Sequence, residues 1–207
     1  MCYDDGIIRQ GECVLCGIDE AGRGCVCGSM FVCGVLGEEV ALENLGIKDS
    51  KKLSESTRQA IAKELQSLAQ RDIIAYHIVE KSAQQIDCVG LSLCLKSALA
   101  EITEHFSAKT QRFVFDGNTT FGLTLKAPHT LRTIIKGDSK HLLIGAASIL
   151  AKVAKDTQMH ELHALYPHYG FDTNKGYGTK AHTQAILRYG YTPFHRRSFA
   201  LARSFEF

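Results

Sequence analysis

The chain lacks any apolar run approaching the ~20 residues that a membrane-spanning helix needs. Its first residues, Met1-Cys2-Tyr3-Asp4-Asp5, have neither the basic start nor the apolar stretch of a secretory leader, so a cytoplasmic location is expected. Internal repeats and low-complexity tracts are also missing, which excludes solenoids and long disordered segments. Net charge is nearly absent: 24 Lys and Arg against 22 Asp and Glu leave +2 over 207 residues. What is present, 45% hydrophobic and 22% charged residues, is the composition of an ordinary globule. A chain of this length fits one domain and can bury a full core without disulfides or metals.

Cysteine is plentiful, but a cysteine framework is not. Of the eight, five lie between 13 and 33: Cys13, Cys16, Cys25, Cys27 and Cys33. The Cys13–Cys16 spacing suits zinc, yet no second properly spaced pair or histidine partner completes a site. These residues alternate with Val, Leu, Ile and Phe, so they are expected to act as small buried hydrophobes in a reducing compartment.

The small net charge conceals a division. Residues 1–125 carry 12 basic and 17 acidic side chains, whereas residues 126–207 carry 12 basic and 5 acidic ones. A basic second part suggests a polyanionic partner, with the early acids serving something other than phosphate contact.

Periodicity predicts strands over 12–18, 26–36, 72–79, 112–116 and 131–135. Helices are predicted from a Ser54 or Ser56 cap through Ile61, Leu65 and Leu68, then over 89–106, 143–165 and 179–189. The small residues Gly145, Ala146, Ala147 and Ser148 suit close packing on a sheet, and Pro167 closes that helix. The pattern is α/β, with a central mixed sheet flanked by helices and a helical C-terminal part over about 166–207.

Three predicted strands end on acids: Asp19-Glu20, Asp116 and Asp138. Turn chemistry alone places single aspartates at strand ends. If these strands are neighbours, four carboxylates converge and repel one another unless cations intervene. Oxygen ligands suit Mg²⁺ or Mn²⁺, and two such ions form the clamp used in phosphoryl displacement. Gly22 and Gly24 flank Arg23 two residues after the first acids, giving a backbone able to approach a ligand closely. Adjacent strand residues face opposite ways, so Asp19 and Glu20 are expected to share a site only where the strand breaks or Glu20 reaches around.

These residues resemble the type 2 ribonuclease H family. The segment Gly17-Ile-Asp-Glu-Ala-Gly-Arg-Gly24 carries the first likeness, and Asp49-Ser-Lys-Lys-Leu-Ser54 the next. Phe115-Asp-Gly117 follows, then Lys136-Gly-Asp138 with Ala146-Ala-Ser-Ile-Leu-Ala-Lys-Val153 and Asp156. Lys175-Gly-Tyr177 and His195-Arg-Arg-Ser-Phe199 complete the order, so the likeness covers nearly the whole chain. It implies a ribonuclease H-like fold. It also implies four catalytic, metal-binding carboxylates (Asp19, Glu20, Asp116 and Asp138); on chemical grounds Asp19 and Asp116 are expected to face both ions or lie between them, with Glu20 and Asp138 more peripheral. Gly22, Arg23 and Gly24 match the segment that reads the ribose 2′-hydroxyl, and Tyr177 the residue that stacks under the junction sugar.

The implied activity is endonucleolytic cleavage of RNA in RNA/DNA hybrids, including the 5′ side of single ribonucleotides in duplex DNA. Two Mg²⁺ or Mn²⁺ ions would serve it, leaving 3′-hydroxyl and 5′-phosphate ends. The expected partner is the duplex itself, met by a monomer through Lys51, Lys52, Lys175, Lys180, Arg196 and Arg197. The rivals are another two-metal nuclease of this fold and a noncatalytic nucleic-acid binding module. Two departures stand out: Cys25 replaces the usual proline after Gly-Arg-Gly, and Gly28-Ser29 follows in place of Gly-Pro or Gly-Ala. Proline would stiffen the turn, so the loop is expected to be less fixed. The type 3 relatives typically carry Gly-Lys-Gly and an N-terminal platform; this sequence shows neither, which favours type 2.

Overall fold

The computed structural model describes residues 14–47 and 53–199. Five strands form one mixed sheet: β1 (Leu15–Ala21), β2 (Met30–Gly37), β3 (Ala75–Lys81), β4 (Arg112–Asp116) and β5 (Thr130–Ile134). Their order is β3-β2-β1-β4-β5. The first three pair antiparallel through β2, while β4 and β5 run parallel to β1. Central strand β1 is buried on both faces, which suits its apolar run Leu15, Cys16, Ile18.

Helices α1 (Glu55–Gln70) and α4 (Leu142–Leu165) cover one face. Helix α3 (Leu91–Phe106), preceded by the short α2 (Ala83–Val89), covers the other. The Ser54 side chain accepts from the Thr57 N–H and caps α1, and Ile61 and Leu65 point inward from that helix. Residues 143–151 of α4 are all buried. A methyl group on Gly17 would lie 2.6 Å from the Ile144 backbone nitrogen, so glycine is what lets α4 lie directly on β1. A third apolar cluster joins the far half of α4, through Met159 and Leu162, to Tyr169, Phe171 of α5 (Phe171–Asn174) and Ile186 of α6 (Lys180–Tyr189).

The predicted elements are present with shifted ends. The helix expected over 89–106 is α3, and Gly90 at φ 85° separates it from α2, which the sequence pattern does not predict. The strand expected over 72–79 begins at Ala75, after a turn in which Asp72 takes φ 56°. Cys16, Cys25, Cys27, Cys33 and Cys94 are buried and Cys88 is exposed; Cys2 and Cys13 lie outside the described residues. No cysteine joins a metal-capable group among the described residues.

Candidate active site

Strand register brings the acids together. Strand β1 stays parallel to β4 up to the pair Ile18 and Phe115. The next residue on each strand is an aspartate, Asp19 and Asp116. Strand β5 pairs Ile134 with Asp116, and the chain then turns through a short 3-10 helix (Gly137–Ser139) that carries Asp138. One carboxylate oxygen from each of Asp19, Asp116 and Asp138 lies within 4.8 Å of the others. The Glu20 N–H donates to Asp19 Oδ1 at 2.7 Å, and the Gly137 N–H donates to Asp116 Oδ1 at 2.9 Å. Ser148 of α4 hydrogen-bonds Asp19 from behind.

Burial pushes the Asp19 carboxyl well above the usual carboxylate range, and the charges of Glu20 and Asp116 add to the effect. Burial also raises Glu20, opposed by Arg23, whose guanidinium is 3.6 Å away. Glu20 Oε2 is buried and accepts no hydrogen bond among the described residues. Crowded carboxylates with an unsatisfied buried oxygen fit a divalent cation, which supplies the missing positive charge and takes oxygen ligands.

One expectation changes here. Strand β1 does not stop before the acids: it runs to Ala21, because its antiparallel partner β2 continues through the pair Ala21 and Phe31. Asp19 and Glu20 therefore point to different sides. Asp138 sits inside the tight cluster, while Glu20 borders the same cleft from beside it.

The cleft holds roughly 430 Å³. Its wall includes Asp19, Glu20, Asp116, the loop residues Gly22, Arg23, Gly24 and Cys25, and Tyr177. Tyr177 is 48% exposed, and a methyl group on Gly24 would sit 3.9 Å from its ring. The opposite wall is basic: Arg58, Lys152 and Lys155. Arg58 and Lys152 both pair with buried Asp156. Sequence reading missed this wall. Ser148 read only as a small packing residue, and Lys152 stood in the family-like segment without a role of its own. Arg58 carried no signal, since only the placing of α1 beside α4 brings it here.

The loop at residues 22–28 is well fastened, contrary to expectation. The Cys25 N–H, which a proline would lack, closes a turn on the Gly22 carbonyl at 3.3 Å. The Val26 and Cys27 N–H groups donate to the Gly176 carbonyl, and the Cys25 thiol donates to the Lys175 carbonyl. Lys155, only 1% exposed, donates from Nζ to the Cys27 carbonyl at 2.9 Å, and burial lowers its pKa to about 8.

Of the expected phosphate contacts, Arg197 is exposed with its guanidinium over the Tyr191 ring. Lys175 is engaged by Glu55 and His160. Lys51 and Lys52 lie outside the described residues. Arg196 is a correction: it is 1% exposed, and its Nε and Nη1 donate to the Gly28 and Arg23 carbonyls, each at 3.0 Å. A guanidinium sealed beneath a loop cannot meet a phosphate on the surface. His195 is likewise buried. It bonds His182 at 3.0 Å, and His182 in turn donates to the Tyr177 carbonyl.

A family model described as Ribonuclease HII matches residues 16–202. A Ribonuclease HII from Helicobacter acinonychis is 52% identical over 188 residues, covering 89% of this chain and 95% of that one. The crystal structure of a ribonuclease H2 from Pyrococcus horikoshii superposes with a TM-score of 0.74 at 25% identity, covering 92% of this chain and 95% of that one. Bst-RNase HIII, solved in complex with Mn²⁺, shares the fold alone, with a TM-score of 0.71 at 17% identity over 93% of this chain and 68% of its own.

Proposed function

The chain belongs to the ribonuclease HII family and is a metal-dependent type 2 ribonuclease H; from that premise we propose that it cuts RNA within RNA/DNA hybrids and incises on the 5′ side of single ribonucleotides embedded in duplex DNA. The observation that carries this reading is one cleft lined together by Asp19 and Asp116, the Gly22-Arg23-Gly24 loop and Tyr177. Carboxylates supply the chemistry, the loop supplies backbone donors for a 2′-hydroxyl, and an exposed ring supplies a surface for a sugar to stack on. The 2′-hydroxyl is the group that distinguishes RNA from DNA in similar duplexes.

Asp19, Asp116 and Asp138 would hold divalent metal, with Glu20 adding a fourth carboxylate from the side. Two ions, Mg²⁺ or Mn²⁺, would activate the attacking water and stabilise the departing 3′ oxygen. The protein's own part is to fix the ligands. The Glu20 and Gly137 N–H groups and Ser148 each orient one carboxylate. Arg23 lies over the Phe121 ring at 5.4 Å and beside Glu20, so its charge balances that acid before a ligand arrives. Arg58 and Lys152 give the cleft a positive side for a phosphate backbone. We assign the catalytic unit as a single domain acting as a monomer in the cytoplasm. No helix among the described residues is long and apolar enough to cross a membrane.

The test is a duplex with one embedded ribonucleotide, incubated with Mg²⁺ and separately with Mn²⁺. Incision on the 5′ side of the ribonucleotide, leaving 3′-hydroxyl and 5′-phosphate ends, is expected. Cutting of an all-DNA duplex would instead favour another two-metal nuclease. Arg23→Ala is expected to lower cleavage at single ribonucleotides more than binding of plain DNA, and equal losses would remove the loop's sensing role.

A further inference from the structure

The loop that faces the cleft contains one peptide unit free to choose its direction. The hydrogen bond from the Cys25 N–H to the Gly22 carbonyl makes residues 22–25 a β-turn. The central peptide of such a turn, here Arg23–Gly24, takes no part in that bond. Rotating it by half a turn interconverts type I and type II geometry, and type II needs a positive φ at the third residue. That residue is Gly24, which adopts positive φ at no steric cost. Gly24 is not in that region here, so the turn holds the first orientation although both are open to it.

What selects the orientation is Arg196. Its Nη1 donates to the Arg23 carbonyl at 3.0 Å, and its Nε donates to the Gly28 carbonyl at 3.0 Å. The Arg196 N–H also donates to the Val26 carbonyl at 2.8 Å, so backbone and side chain both grip the same loop. The guanidinium is itself fixed against Phe199, 5.1 Å from the ring centre. Arg196 is absent from the cleft wall, whereas Gly22, Arg23 and Gly24 belong to it, so Arg196 grips the loop from the side away from the cleft. In a trans peptide the carbonyl and the following N–H point in opposite directions. A carbonyl of Arg23 turned inward to Arg196 turns the Gly24 N–H outward. That N–H meets no acceptor among the described residues.

We propose that Arg196 is a positioning residue for ribonucleotide recognition: by holding the Arg23 carbonyl it locks the turn so that the Gly24 N–H faces the 2′-hydroxyl of the substrate. The inference rests on the functional reading above, in which this loop senses the ribose. It also assigns Arg196 a role different from the phosphate contact that its sequence motif suggested. A phosphate contact changes affinity for every duplex and lowers its salt dependence. A positioning residue changes only the preference for a ribonucleotide.

The experiment uses Asp116→Asn protein, so that the duplex stays intact, and compares Arg196→Ala and Arg196→Lys in that background. Fluorescence anisotropy gives affinities for a duplex with one ribonucleotide and for the same duplex in DNA, over a range of salt. The expected result is an unchanged affinity and salt slope for the all-DNA duplex in both variants. The preference for the ribonucleotide should fall by about tenfold in Arg196→Ala, the size of one net hydrogen bond. Arg196→Lys should be intermediate, since an ammonium can hold one carbonyl but lacks the fork to hold two. Circular dichroism establishes that each variant is folded. If Arg196→Ala is not, Arg196→Lys decides, and a fully retained preference there overturns the proposal. Weaker binding of both duplexes with a salt slope reduced by about one would also overturn it, in favour of a phosphate contact. A parent protein with no ribonucleotide preference would defeat the functional reading and this proposal together, which separates that failure from one confined to the variants.

Discussion

Buried charge lies on both sides of the loop at residues 22–28, and the two sides resolve it differently. Toward the cleft, Asp19, Asp116 and Asp138 crowd together, and an oxygen of neighbouring Glu20 is left unsatisfied. Against the loop itself, Arg196, which is absent from the cleft wall, and Lys155, which is part of it, donate hydrogen bonds to the loop's own carbonyls. Burial penalises a lone charge heavily in either place. The cations donate to backbone carbonyls within the fold and so brace the loop, although Arg196 Nη2 has no acceptor among the described residues. The carboxylates accept hydrogen bonds from the Glu20 and Gly137 N–H groups and Ser148, yet their like charges stay crowded and Glu20 Oε2 has no donor among the described residues, so the cluster fits a cation from outside. Burial alone does not distinguish a working charge from a bracing one; the identity of its partners does.

The largest effect that would test this contrast is on the acidic side. Asp116→Asn is expected to reduce hydrolysis by about a thousandfold or more, equivalent to several kcal/mol of lost transition-state stabilisation. Its circular dichroism should match the parent. Near-normal turnover would break the contrast, because the acids would then be no more functional than the cations. Chelation with EDTA should abolish turnover in the parent, with activity returning on addition of Mg²⁺ or Mn²⁺.

The next effect lies on the basic side and reads stability. Folded Lys155 releases its proton at about 8, against 10.5 when exposed. Between those values the unfolded chain binds more protons than the folded one, so Lys155 makes stability rise with pH across that window. Below about 8 both states are protonated and the full burial penalty is felt. The buried thiols Cys25 and Cys27 have raised pKa values and act with the opposite sign. The difference between wild type and Lys155→Met isolates the lysine. Urea melts at pH 8 and 10.5 should show that difference moving by on the order of 3 kcal/mol in favour of wild type. A flat difference would mean that the Cys27 carbonyl compensates the burial fully.

The smallest effect sharpens the boundary between bracing and surface charge. Arg197, next in sequence to Arg196, is exposed. Arg197→Ala is expected to weaken binding of all duplexes a few-fold and to lower the salt slope by about one, with no change in ribonucleotide preference. The same titration of both neighbours would show the two behaviours side by side.

The sheet, its flanking helices and the three strand-end aspartates were legible because they rest on local pattern. Periodicity marks β4 and α4, and an acid following Phe113, Val114 and Phe115 marks a strand end. Less legible were features set by pairing partners. Strand β1 continues through Asp19 and Glu20 because β2 pairs there, and no local signal in residues 15–21 announces it. Asp138 belongs with Asp19 and Asp116 because of how the chain turns after β5. Arg196 read as a surface phosphate contact and Lys155 drew no reading, since nothing in a sequence tells a solvated cation from one capped by carbonyls 128 or 168 residues away. Cys25 illustrates the reverse error. The missing proline suggested a looser loop, but the N–H that cysteine restores closes the turn.

The long reach of Arg196 also bears on how the enzyme is made. A ribosome delivers the chain from its start, so the strands with Asp19 and Asp116 and the segment with Asp138 emerge before residue 196. The carboxylates can gather while their substrate-reading loop still lacks its clasp. A nascent chain of that kind would have the means to bind metal without the means to choose a nucleotide. On the role proposed for Arg196, selectivity would be installed last, by a residue 173 positions after the peptide it holds.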